Sequence, residues 1–96
     1  MRLFATFLVA SPGITGAFAG CNCKCQDPSG SGPQWNDLTE QVCGTKLAGE
    51  NDICFLDKTF RPDKANQCSS AGCCIDSGGF DEECRKLGAP GAYCWT

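Results

Sequence analysis

The amino-acid sequence predicts a small disulfide-rich α+β domain: one or two short helices packed on a two- or three-stranded antiparallel sheet, with five disulfides holding both. Ten of the 96 residues are cysteine, a density that marks a disulfide scaffold in a short chain. Twelve glycines and five prolines are too many for long helices or broad sheets, while an apolar content of 42% is too high for a disordered chain. Histidine is absent. That removes the imidazole on which hydrolase triads and His-ligated zinc depend, so the reading is a non-enzymatic protein with no cofactor and no metal.

The first residues set the compartment. Met1-Arg2 is a short basic start, Leu3 to Ala10 is apolar, Pro12-Gly13 breaks the run, and Ala17-Phe18-Ala19 has the small-x-small pattern of a signal-peptidase site. The run is far shorter than the roughly 20 apolar residues that span a bilayer. Residues 1–19 therefore read as a secretory signal peptide, and the product as secreted and extracellular. Cleavage after Ala19 leaves residues 20–96 with every cysteine retained: Cys21, Cys23, Cys25, Cys43, Cys54, Cys68, Cys73, Cys74, Cys84 and Cys94. An even count entering an oxidising pathway reads as five disulfides whose pairing the sequence leaves open. Each typically adds about 2 to 4 kcal/mol, which decides folding in a chain too small for its core alone to offset the entropy of ordering.

Without Arg2, seven Lys and Arg stand against eleven Asp and Glu, a net charge of −4. Nucleic-acid binding and adsorption to anionic membranes need a basic excess, so neither is expected. Residues 20–34 read as a cysteine-rich N-terminal arm (GCNCKC) followed by a Gly/Ser/Pro loop, and residues 35–96 as the disulfide-stapled body, with 20–96 one domain.

Three segments of the body have helical signals. Asn36 to Cys43 has Asn36 or Asp37 to cap it, Glu40 in capping-box spacing from Asp37, Leu38 and Val42 on one face, and Gly44 to stop it. Phe80 to Leu87 has acids at its start, Arg85 and Lys86 at its end, Gly88 and Pro90 beyond, and Phe80, Cys84 and Leu87 as its buried stripe. Pro62 to Cys68 has proline at a tolerated first-turn position over a thin apolar face. The strand signals are Ile53 to Leu56, Cys73 to Ile75 and Ala92 to Trp95, short apolar runs bounded by turn formers.

Two cysteine patterns allow sharper chemistry. The C-x-C-x-C run at Cys21, Cys23 and Cys25 has the spacing of a metallothionein cluster, but a secreted chain oxidises the thiolates such a cluster needs. The adjacent Cys73 and Cys74 either bond each other or, pointing opposite ways, staple two different partners, and the second arrangement is the expected one. Surface pairs such as Glu82-Glu83 or Asp57 with Asp63 read as solvated acids, because a body this small rarely holds a glycosidase cleft.

The layout of CNCKCQD near a processed N-terminus, a Gly/Pro loop, a TEQVC segment, a CC pair, an acidic segment with Cys84 and a terminal AYCWT resembles the small secreted cysteine-rich proteins of filamentous fungi, many of them candidate effectors. The resemblance implies a virulence protein that binds an extracellular host protein and carries no catalytic residue, and the product is expected to be a monomer. The alternative is a disulfide-rich toxin or protease inhibitor of cystine-knot-like type, built on Cys54, Cys68, Cys73, Cys74, Cys84 and Cys94. For partner contact the sequence offers Trp35 beside the loop and Tyr93 and Trp95 at the C-terminus, since aromatics supply most contact energy per residue; the competing reading places them in the core.

Overall fold

A computed structural model of the chain describes residues 19–96. Of the expected signal segment, all but Ala19 lies outside the described residues. The elements in chain order are β1 (Ala19–Gly20), β2 (Asn22–Cys25), α1 (Asn36–Cys43), α2 (Asp52–Asp57), β3 (Lys58–Arg61), β4 (Gln67–Ser70), β5 (Ile75–Asp76), α3 (Ser77–Lys86) and β6 (Ala92–Trp95). The protein is a small disulfide-rich α+β domain, with a four-stranded antiparallel sheet in the order β3-β4-β2-β6 and a short β1-β5 ladder beside it.

The residues expected to form an N-terminal arm instead supply an interior strand. Cys23 is in register with both Cys68 of β4 and Cys94 of β6, so β2 is hydrogen-bonded on both edges. The reason lies in the two-residue spacing of C-x-C-x-C: side chains alternate across a strand, so Cys23 and Cys25 share one face. Both are fully buried. All ten cysteines are in disulfides: Cys21–Cys73, Cys23–Cys94, Cys25–Cys84, Cys43–Cys68 and Cys54–Cys74. The adjacent Cys73 and Cys74 bond different partners. Four of the six cysteines of the knot-like set bond outside that set, to Cys21, Cys23, Cys25 and Cys43.

The core sits between the cysteine-bearing sheet face and helices α1 and α3, where Val42, Leu47, Ile75 and Phe80 pack against Cys23, Cys25, Cys68 and Cys84. Few large hydrocarbon side chains are present, and cystine sulfur fills much of the interior. Helix α1 has the expected bounds but not the expected cap. Trp35 precedes it without a side-chain cap, and Thr39 anchors it, accepting from Cys25 N at 2.8 Å and donating to Trp35 O at 3.0 Å.

Helix α3 starts three residues earlier than the expected Phe80, because Asp76 caps it, accepting from Gly79 N at 3.0 Å. A β-carbon at Gly79 would lie 2.5 Å from that carboxylate, so the glycine makes room for the cap. The acids Asp81 to Glu83 consequently sit mid-helix. Phe80 and Cys84 are buried as expected, but Leu87 is 38% exposed. Gly88 at φ +106° ends the helix with bonds from Gly88 N to Arg85 O and Ala89 N to Cys84 O, a Schellman arrangement.

Three further expectations are corrected. Ile53 to Leu56 is helical, within α2, because Asn51 caps the segment by accepting from Cys54 N at 2.8 Å. Pro62 to Cys68 is a hairpin turn leading into β4: Arg61 pairs with Asp63, Asn66 takes a left-handed φ of 55°, and Cys68 joins the ladder opposite Phe60. The Cys73 to Ile75 strand begins only at Ile75, since Cys73 also has a left-handed φ of 53° that breaks an extended run.

Candidate binding surfaces

The strand register puts Asn22 and Lys24 of β2 on the sheet face opposite the core, together with Trp95 and Tyr93 of β6 and Ser69 of β4. Tyr93 and Trp95 stack with ring centroids 5.2 Å apart. Lys24 is 5% exposed, holds its ammonium 5.7 Å from the Trp95 ring and donates to Gln34 Oε1 at 2.6 Å. Burial lowers the Lys24 pKa from its ordinary value, because the charged form has lost much of its water. Asn22 Oδ1 accepts from Gln67 Nε2 and Ser69 Oγ, both at 2.8 Å. The loop after β2 folds back onto this face, with Gly30 beneath the Tyr93 ring.

The structure thus brings two of the proposed contact residues together and leaves the third apart. Trp35, 40% exposed, walls a separate hollow of about 510 Å³ with Leu38 and Leu87. None of the three aromatics belongs to the buried core cluster. Tyr93 and Trp95 are nevertheless half-buried, and their polar neighbours already bond one another.

Among the described residues the most exposed large apolar side chains lie elsewhere, on a segment that carried a strand signal in the sequence. Ile53 and Leu56, one turn apart on α2, are 79% and 78% exposed, and the only buried residue of that helix is Cys54. Its disulfide to Cys74 clamps α2 against the segment preceding β5. Between them lies a cleft of about 420 Å³, lined among others by Ile53, the Cys54–Cys74 bridge, Asn51, Asp57 and Gly72. The signal that would have found this helix is Asn51-Asp52 directly ahead of the apolar run, an N-cap followed by an acid in the first turn.

The cleft's carboxylates differ in their surroundings. Glu50 is neutralised by Lys58 at 2.7 Å. Asp57 accepts from Ser70 Oγ at 2.6 Å and Gly72 N at 2.9 Å, and these two bonds hold its pKa below the ordinary carboxylate value. It is therefore an anion at neutral pH, and no ion pair among the described residues includes it.

Residues 20–93 match a family described as a family of unknown function, DUF5948. The chain belongs to that family. No curated protein and no solved structure matches it. The DUF5948 match begins at Gly20, the residue that follows the small-x-small site, and extends to Tyr93 on β6, so it spans the arm, the loop and the body alike. Its five disulfides are typical of extracellular proteins, and among the described residues no helix is long and apolar enough to cross a membrane.

Proposed function

We propose that this DUF5948 protein is secreted and acts by binding a protein outside the producing cell, through α2 and the cleft beside it. The observation that carries the reading is the exposure of Ile53 and Leu56, 79% and 78%, on a helix fixed by a disulfide. An apolar pair standing in water is unfavourable for an isolated fold and favourable for one that covers it with a partner. A clamped helix also loses little conformational freedom on binding. Secretion is supported by the signal-like first segment and by the number of bridges. The effector role on a host belongs to the same reading and rests on the layout of the cysteines.

The test is capture from extracellular plant fluid on immobilised oxidised protein, compared with an Ile53→Ser/Leu56→Ser double variant and a Tyr93→Ala variant. The reading expects a protein retained by the wild type and by Tyr93→Ala and released by the double variant, with thermal stability unchanged at these exposed sites. Equal capture by the double variant, or by reduced and alkylated protein, overturns it.

A further inference from the structure

We infer that the cleft beside α2 receives a basic side chain, Lys or Arg, of the partner protein, with Ile53 and Leu56 covering the apolar residues that flank it; this rests on the reading of α2 as the binding surface. Of the acids around the cleft, Glu50 is bonded to Lys58 and Asp52 to Lys46, both at 2.7 Å, whereas Asp57 is bonded only to uncharged donors. Ser70 Oγ and Gly72 N both reach Oδ2. A carboxylate offers about four lone-pair sites, so acceptor capacity is left for an incoming cation.

The surroundings narrow the kind of cation. A divalent metal ion needs several carboxylates or other ligands converging, and among the described residues no three His, Cys, Asp or Glu side chains do so. A guanidinium or ammonium on a hydrocarbon stem needs one fixed carboxylate and an apolar wall for the stem. The cleft supplies both: Asp57 is held by its two donors, and Ile53 with the Cys54–Cys74 bridge forms the wall. The volume, about 420 Å³, lies within the range of pockets that take small ligands. An anionic residue would meet Asp57 as a like charge on a chain that is already acidic overall.

The experiment is an NMR titration of the oxidised protein with three capped tripeptides, Leu-Arg-Leu, Leu-citrulline-Leu and Leu-Glu-Leu. Saturable shifts of the Asp57, Gly72 and Cys74 amides with the arginine peptide are expected, with affinity at least about tenfold weaker for the uncharged isostere and weaker again for the glutamate peptide. Asp57→Asn should abolish the preference for arginine, while Ile53→Ser should weaken all three peptides and keep their order. The citrulline comparison needs no substitution, so it decides the matter even where Asp57→Asn disturbs the fold. Equal affinity for the three peptides, or no saturable shift at about 10 mM, overturns the inference. Retention of the plant-fluid protein by wild type but not by Ile53→Ser/Leu56→Ser, alongside equal peptide affinities, would overturn the basic preference and leave the binding surface standing.

Discussion

Lys58 and Glu50 meet at 2.7 Å with both side chains entirely out of contact with water. Lys58 also donates to Thr45 O at 2.7 Å and lies 5.8 Å from the Phe55 ring centroid. Glu50 accepts from Leu47 N at 3.1 Å on one oxygen and from Asp76 N at 3.0 Å on the other. The pair therefore joins the loop after α1, helix α2, the start of β3 and the cap of α3. It is the polar anchor of the region that shapes the cleft.

Breaking such a pair by one substitution leaves an uncompensated charge or an unmet donor in the interior. Glu50→Gln or Lys58→Met is each expected to lower stability by about 3 to 5 kcal/mol. The double variant Glu50→Leu/Lys58→Met should lose much less than the two singles added together, because neither leaves a buried charge behind. Guanidinium unfolding with the disulfides intact measures all three; single variants that lose less than about 1 kcal/mol would show that the pair does not organise the region.

The bridges divide into those that hold the core and one that holds the cleft. Cys25–Cys84 links β2 to α3 between two fully buried residues 59 apart in sequence, whereas Cys54–Cys74 spans 20 and clamps α2. Loop length alone makes the first worth about 1 kcal/mol more, and the cavity left in the core adds to that. Replacing Cys25 and Cys84 by alanine should abolish cooperative folding at 37 °C. Replacing Cys54 and Cys74 should preserve a cooperative transition and loosen α2, seen as faster amide exchange confined to residues 51–57 and as loss of partner capture.

What could be read in the sequence follows from how local each signal is. Asn36 to Cys43 was legible because its apolar face and its stop at Gly44 lie within one short window, and Gly88 ended α3 for the same reason. The start of α3 was obscured because Gly78 and Gly79 look like turn formers, whereas Gly79 leaves room for the Asp76 carboxylate that caps the helix. Strand β2 was obscured because its two-residue period is carried by cysteines, which fit a disulfide-tethered arm as well as a strand. Ile53 to Leu56 shows the limit of composition: a four-residue apolar run fits a buried strand or a short exposed helix equally well. The cleft was not legible at all, since Asn51, Ile53, Cys54 and Asp57 meet Gly72 and Cys74 only through the fold.

Acid should weaken the fold in a defined window. Asp27, Asp52, Asp57 and Asp63 are each held below the ordinary carboxylate pKa, chiefly by the hydroxyl of Ser29, by Lys46, by the hydroxyl of Ser70 and by Arg61 respectively. Groups with lower values in the folded state bind fewer protons there than in the unfolded chain. Their contribution is present in full above the unfolded value of about 4, and is lost as pH falls through the folded values. Thermal midpoints should be level between about pH 7 and 5 and fall below about pH 4, with a shallower fall in Asp57→Asn. A midpoint that rises on acidification would contradict the assignment of these carboxylates as favourably paired.

Gly20 is fixed closely in the fold. Its backbone pairs with Ile75, and a β-carbon there would lie 2.9 Å from Ser77 Oγ and 3.3 Å from Cys23 Sγ, so the position admits only glycine without displacement. Cleavage after Ala19 would remove the Ala19–Asp76 half of the β1-β5 ladder and keep the Gly20–Ile75 half, placing the new terminus at the edge of the disulfide-bonded core. The protein recovered from the medium of a secreting host is expected to begin at Gly20, to react with no thiol reagent before reduction, and to weigh about 10 Da less than its fully reduced form. N-terminal sequencing and intact mass, before and after reduction, measure each part separately. A product beginning at Met1 would overturn the secretion reading, and a free thiol in folded protein would overturn the five-bridge pairing.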